Sequence, residues 1–158
     1  MIMNSTIELK HLLCEHKNTL NSFTLPEEQS IFTALPDSIT DLKEGQHGIV
    51  IINMNEPVGF FLLHATERVK EYSKNPNAML LTALSLNHIH QGKGYAKKGM
   101  LLLSSFVKQE FPNCNEIVLV VNHKNVAAQN LYLNVGFIDT GERKIGQIGE
   151  QILMTLAL

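Results

Sequence analysis

Basic residues are in short supply in this 158-residue chain, where 13 lysines and arginines stand against 15 aspartates and glutamates for a formal net charge of −2. The cations are scattered, with no run longer than two. Neutralising a phosphate backbone needs a clustered basic excess, so no nucleic-acid partner is expected. Cysteine is equally sparse: Cys14 and Cys114 stand alone, with no Cys-x-x-Cys, and no disulfide framework is expected. The opening Met1-Ile2-Met3-Asn4-Ser5 lacks a basic segment followed by an apolar stretch, and no apolar run reaches bilayer length. These absences point to the cytoplasm, with no membrane partner. Internal repeats and low-complexity tracts are missing too.

What is present suits one globular domain over residues 1–158, because 44% of the residues are hydrophobic and only 18% are charged. Thr6–Lys10 alternates like a half-buried strand. A helix is expected from Leu12 to Phe23, weakened by Asn18, Thr19, Asn21 and Ser22. Pro26 and Pro36 then divide the chain into short helical pieces at Glu27–Thr33 and Asp37–Leu42. Gly48–Ile52 and Val58–Leu63 read as strands joined by a turn at Asn53–Glu56. After a polar loop from His64 to Asn77, Ala78–Leu86 is a near-continuous apolar strand belonging deep in a sheet.

The second half is more regular. A helix opens after Gly94 and runs to about Glu110, with Ala96, Met100, Leu103 and Val107 on one side. Glu116–Val121 is another buried strand. Asn125 is placed to cap a helix over Val126–Asn134, and Gly136 to stop it. Phe137–Thr140 and Gln151–Leu156 complete a mixed α/β domain of about seven strands, with helices on both faces.

Gln91-Gly92-Lys93-Gly94-Tyr95-Ala96 carries the first chemical signal. A tight turn from a strand into a helix aims several backbone N–H groups outward together, which suits an anion such as a phosphate. Glycine reaches the backbone conformations that such a turn needs. The pattern is neither a Walker loop nor the GxGxxG dinucleotide fingerprint, since Lys97 stands where the last glycine would be.

With the downstream segment from Asn125 to Phe137, this turn resembles the GNAT superfamily of acetyl-CoA-dependent N-acetyltransferases. The signature Gln/Arg-x-x-Gly-x-Gly/Ala reads here as Gln91, Gly94 and Ala96. The following motif reads as Asn125, Ala128, Leu131, Tyr132, Gly136 and Phe137. The resemblance covers roughly residues 79–140. It implies a mostly antiparallel sheet of about seven strands, flanked by helices and splayed centrally at a coenzyme A cleft. It implies acetyl-CoA as cosubstrate, no metal, and an amine acceptor that is a small molecule or a peptide; a homodimer stays open. The turn Gln91, Gly92, Lys93, Gly94, Tyr95 and Ala96 would cradle the pyrophosphate. The backbone of Leu84, Ser85 and Leu86 would pair with the pantetheine arm, with Asn125 beside it. Tyr132 would be the catalytic acid, its phenol protonated at neutral pH and able to donate to the departing thiolate.

One departure concerns the base. Many relatives carry a carboxylate in the central strand, where this chain has Thr82 and Ala83. Glu28, Glu67, Glu71, His64 and His123 are the candidates, and water-mediated proton loss is an equal reading. His88-x-His90 lacks the further ligands of a metal site. The acidic residues Glu27, Glu28, Asp37, Asp41 and Glu44 fall where an acceptor would be covered, and read equally as a solvated face. A reading from another class also stands: an acyl-CoA-binding sensor that has lost turnover.

Overall fold

The strands β1 (Ile7–His11), β2 (Gln46–Asn53), β3 (Glu56–His64), β4 (Ala78–Leu86), β5 (Glu116–Asn122), β6 (Ile138–Gly146) and β7 (Gly149–Ala157) form one sheet in the order β1-β2-β3-β4-β5-β7-β6. This is a computed structural model, and it describes residues 6–39 and 41–158. The opening Met1–Ser5 segment and Thr40 of the expected Asp37–Leu42 piece lie outside the described residues. Every described pairing is antiparallel except β4 with β5. Parallel neighbours need a crossover, supplied by α3 (Tyr95–Leu101) and α4 (Leu103–Glu110). Their place at the sheet centre explains the unbroken apolar runs of β4 and β5, whose Leu80, Leu81, Ile117, Val118 and Leu119 are all buried.

Helices cover both faces. Met100, Leu103 and Val107, together with Tyr132 of α5 (Val126–Asn134), pack on Ile49, Ile51, Phe61 and Leu81. On the opposite face Leu20, from α1 (Lys17–Asn21), and Phe23 cover Val50, Ile52, Phe60 and Leu62. Further along that face Val69 closes over Ala78, Leu80 and Val118. Among the described residues no helix is long and apolar enough to cross a membrane.

Three expected elements come out differently. The Leu12–Phe23 helix shrinks to a 3-10 turn at Cys14–His16 and the five residues of α1. The Ser22 hydroxyl donates to the Thr19 carbonyl at 2.6 Å, a local bond that competes with helix continuation. The long helix after Gly94 is interrupted at Leu102, whose N–H donates three residues back to Gly99 at 3.1 Å. Finally, β6 runs on to Gly146. It absorbs Gly141, with φ of +87°, into a register shift between Asp139 and Arg143, so only Gln147 and Ile148 join it to β7.

Candidate active site

The two central strands part company early. β4 and β5 pair at Ala78↔Glu116, Met79↔Ile117 and Leu80↔Val118, and nowhere beyond. Their continuations, Leu81–Leu86 and Leu119–Asn122, face each other with no ladder between them. A cause sits on the other edge of β4. Phe60 pairs with Ser85 and Leu62 with Thr82, which leaves Ala83 and Leu84 together opposite Phe61. Ala83 takes a φ of +58°, and a bulge of this kind bends the strand that carries it. A cleft of about 1180 Å³ opens in the gap, walled by the ends of β4 and β5, the start of α3, α5, the β6–β7 turn and the α2 segment (Glu27–Ser30).

At the end of β4 the chain passes through a 3-10 turn, His88–His90, into the glycine turn. Gly92 and Gly94 hold φ of +78° and +80°, and a Cβ at either would meet nothing within 4 Å. Glycine is therefore required there by backbone conformation, and the space above the turn is open. The Gln91 side chain holds the turn in place. Its amide donates to the Leu86 carbonyl at 2.9 Å and exchanges two further hydrogen bonds with Gln29 of α2, at 2.9 and 3.0 Å. Tyr95 ties the start of α3 to the β2–β3 hairpin by accepting a bond from the Asn53 amide at 3.1 Å.

Of the residues singled out from sequence, Leu84, Ser85, Leu86, Gln91, Gly92, Gly94, Tyr95, Ala96, Asn125 and Tyr132 all line the cleft. Lys93 does not; Lys97 and Lys124 do. The Leu84 carbonyl accepts a hydrogen bond from the Thr33 hydroxyl at 3.0 Å. The Ser85 hydroxyl is buried and has no partner among the described residues. Asn125 performs the capping role, its side chain accepting from the Ala128 N–H at 3.3 Å.

Tyr132 is fixed by the end of its own helix. Gly136, with φ of +109°, donates to the Leu133 carbonyl, and Phe137 donates to the Tyr132 carbonyl. This crossed pair of bonds is the Schellman stop, and its apolar contact is the Phe137 ring edge-on to Tyr132, 5.4 Å between centroids. The Tyr132 hydroxyl makes no hydrogen bond within the described chain, and burial pushes the phenol well above its ordinary range.

Among the described residues Glu28 is the only carboxylate lining the cleft. His64 reaches it indirectly: its Nε2 lies 2.6 Å from the hydroxyl of Thr82, which lines the cleft, and its buried Nδ1 has no partner among the described residues. Burial, then the charges of Arg68 and His47, hold the imidazole down to about 4, so it is neutral near neutral pH. Glu67 pairs with Lys70 on the surface, and His123 meets the Glu150 carbonyl; neither lines the cleft. His90 lines the cleft with Nε2 3.6 Å from Glu56, while His88 is exposed. Sequence reading missed Arg68 and Tyr72, which line the cleft from the β3–β4 loop. No periodicity or spacing marks them.

The sequence model of the acetyltransferase (GNAT) family matches residues 13–137. A Bacillus subtilis (strain 168) relative named uncharacterized N-acetyltransferase YbbJ is 47% identical over 156 residues, covering 96% of this chain and 98% of its own. Among solved structures, AAC(6')-Ib in complex with ribostamycin and coenzyme A superposes with a TM-score of 0.77 at 15% identity, covering 97% of this chain and 94% of that one. A spermidine N-acetyltransferase SpeG chimera from Vibrio cholerae and hSSAT superposes with a TM-score of 0.68 at 18% identity, over 97% and 96% of the two chains.

Proposed function

The chain belongs to the acetyltransferase (GNAT) family, and we propose that it transfers acetyl from acetyl-CoA directly to a primary amine, both bound at once in the β4–β5 cleft. The observation that carries this reading is the unladdered gap ending on a glycine turn whose two left-handed residues face open space. The domain is taken as residues 1–158, acting in the cytoplasm.

The residues present fit the cosubstrate. The turn into α3 has open space at Gly92 and Gly94, where backbone N–H groups can approach an anion, and Lys97 and Lys124 line the same cleft as counter-charges for phosphates. The edge of β4 at Leu84–Leu86, which has no strand partner on the β5 side, is suited to an amide-bearing arm, with Asn125 across the gap. Acetyl-CoA supplies the thioester whose acyl group passes to the amine. Tyr132, raised by burial and with its hydroxyl unengaged, keeps its proton at any physiological pH and donates it toward the sulfur as the carbon–sulfur bond breaks. The amine's proton leaves through water, with Glu28 the one carboxylate at hand. His64 is neutral but too weak a base to take a proton from an ammonium. Structural neighbours named as an aminoglycoside acetyltransferase and a spermidine N-acetyltransferase support an amine as acceptor.

The test is thermal. Acetyl-CoA or CoA at ~100-fold excess over Kd should stabilise the fold by about 2.7 kcal/mol, and ATP far less. Stabilisation by ATP and not by CoA would sink the reading. The rival, a sensor without turnover, draws on Thr82 standing where a carboxylate would deprotonate the amine. Thiol release with an amine panel separates the two.

A further inference from the structure

The half of the cleft on the α1 face has an unusual charge balance for a site that takes amines. Thr82 and Ser85 pair in register with Leu62 and Phe60, so their side chains share the face that Leu20 and Phe23 cover further along the sheet. Arg68 and Tyr72 come to that side from the β3–β4 loop, whose Val69 packs on Leu80. Among the described residues the Arg68 guanidinium has no acidic partner. It is close enough to His64 for its charge to help keep that imidazole neutral. The titratable groups on this side are thus His64, Arg68, Tyr72 and Glu28, with Glu28 the one carboxylate among the described residues that line the cleft.

A polycationic acceptor carries several ammonium groups and needs several carboxylates around it. Among the described residues this cleft offers Glu28 alone, set against an unpaired guanidinium. A simple monoamine would leave Arg68 without a purpose. An acceptor carrying both an amine and an anionic group satisfies both charges. Guanidinium matches a carboxylate with two parallel N–H donors. The Ser85 hydroxyl, buried and without a partner, offers that acceptor one more polar contact. Tyr72, Phe32 and Leu25 supply an apolar wall.

We propose that the acceptor is a small amino carboxylate with an apolar side chain, its carboxylate held by Arg68. This rests on the acetyltransferase reading above and narrows it.

The experiment compares matched pairs: leucine, methionine and phenylalanine against their carboxamides, with spermidine and kanamycin as polycations. The amide's amine is the less basic of each pair, so free-amine content alone would favour the amide. The expected result is a kcat/KM about tenfold to a hundredfold higher for the acid, as a charge-assisted bidentate contact supplies. Arg68→Gln should collapse that ratio through the KM of the acid, and Arg68→Lys should restore part of it. Arg68 is exposed, so both variants should keep the wild-type melting temperature and acetyl-CoA shift. Equal or better turnover of the amides or polycations, or a ratio unmoved by Arg68→Gln, overturns the proposal while leaving the acetyltransferase intact. A binding measurement covers the case of undetectable turnover. With CoA present, N-acetylleucine should stabilise the wild type and N-acetylleucinamide should not, and equal shifts overturn the proposal. Failure of acetyl-CoA itself to bind would instead remove the reading on which this one stands.

Discussion

Phe137 donates its backbone N–H to the carbonyl of Tyr132 at 3.0 Å and packs its ring edge-on against the Tyr132 ring. One helix stop thus both ends α5 and orients the phenol at the cleft wall. Gly136 makes the stop, and a Cβ there would come no closer than 3.4 Å to Leu156. The cost of Gly136→Ala is therefore conformational, about 1–2 kcal/mol. Because the strain falls on the turn that seats Tyr132, kcat should drop about three- to tenfold with CoA binding retained. A variant that loses stability but keeps full kcat would show the stop to be scaffold only.

The glycine turn is tested by charge. At Gly94 a side chain has room but sits at φ of +80°. Gly94→Asn and Gly94→Asp should share the same modest strain, since both residues tolerate this region. Only the aspartate adds a negative charge beside the expected pyrophosphate. CoA affinity by calorimetry should fall at least about tenfold further in Gly94→Asp than in Gly94→Asn, given the strength of charged contacts. Equal affinities would place the phosphates elsewhere.

His64 makes stability depend on pH. Its ordinary value is 6.5 and the folded protein holds it at about 4, so as pH falls the unfolded chain takes the proton first. Stability is therefore complete above about 6.5 and declines as pH drops toward 4, by up to about 3 kcal/mol. His47, lowered by burial and by His11, adds a slope of the same sign. Urea midpoints at pH 7.5 and 4.5 should converge in His64→Gln relative to wild type. Identical pH slopes in the two proteins would remove His64 as the cause.

The sequence was most legible where a signal is local. Ala78–Leu86 and Val126–Asn134 emerge with the boundaries that their apolar run, asparagine cap and glycine stop dictate. The two motifs that framed the site fall on opposite walls of one cleft because β4 and β5 are neighbours. The bulge at Ala83 was not legible, since alanine seldom takes φ of +58° and only the register shift against Phe60 and Leu62 accommodates it. Arg68 was invisible for a different reason. It lies in a polar loop without period, and only the topology of β3 and β4 brings it to the cleft. At Leu12–Phe23 the polar residues that weakened the expected helix prevailed, Ser22 preferring a local hydrogen bond to a longer helix.

Tyr132→Phe separates chemistry from packing at one atom. The ring contact with Phe137, the helix stop and the buried apolar face all survive the loss of a hydroxyl that bonds to nothing among the described residues. Removing it should even relieve the burial of a polar group, so the melting temperature should hold or rise slightly. CoA affinity should stay near wild type, because the contact matters chiefly while the carbon–sulfur bond breaks. The loss should then fall on kcat rather than KM, on the order of 10²–10⁴-fold for a general acid. The pH profile adds a second reading. Since burial holds the phenol above its ordinary range, its ionisation cannot shape the rate near neutrality. The rising limb should follow the acceptor amine and persist in the variant. Full kcat for Tyr132→Phe on an acceptor that the wild type acetylates would make Tyr132 a packing residue and move the acid to water.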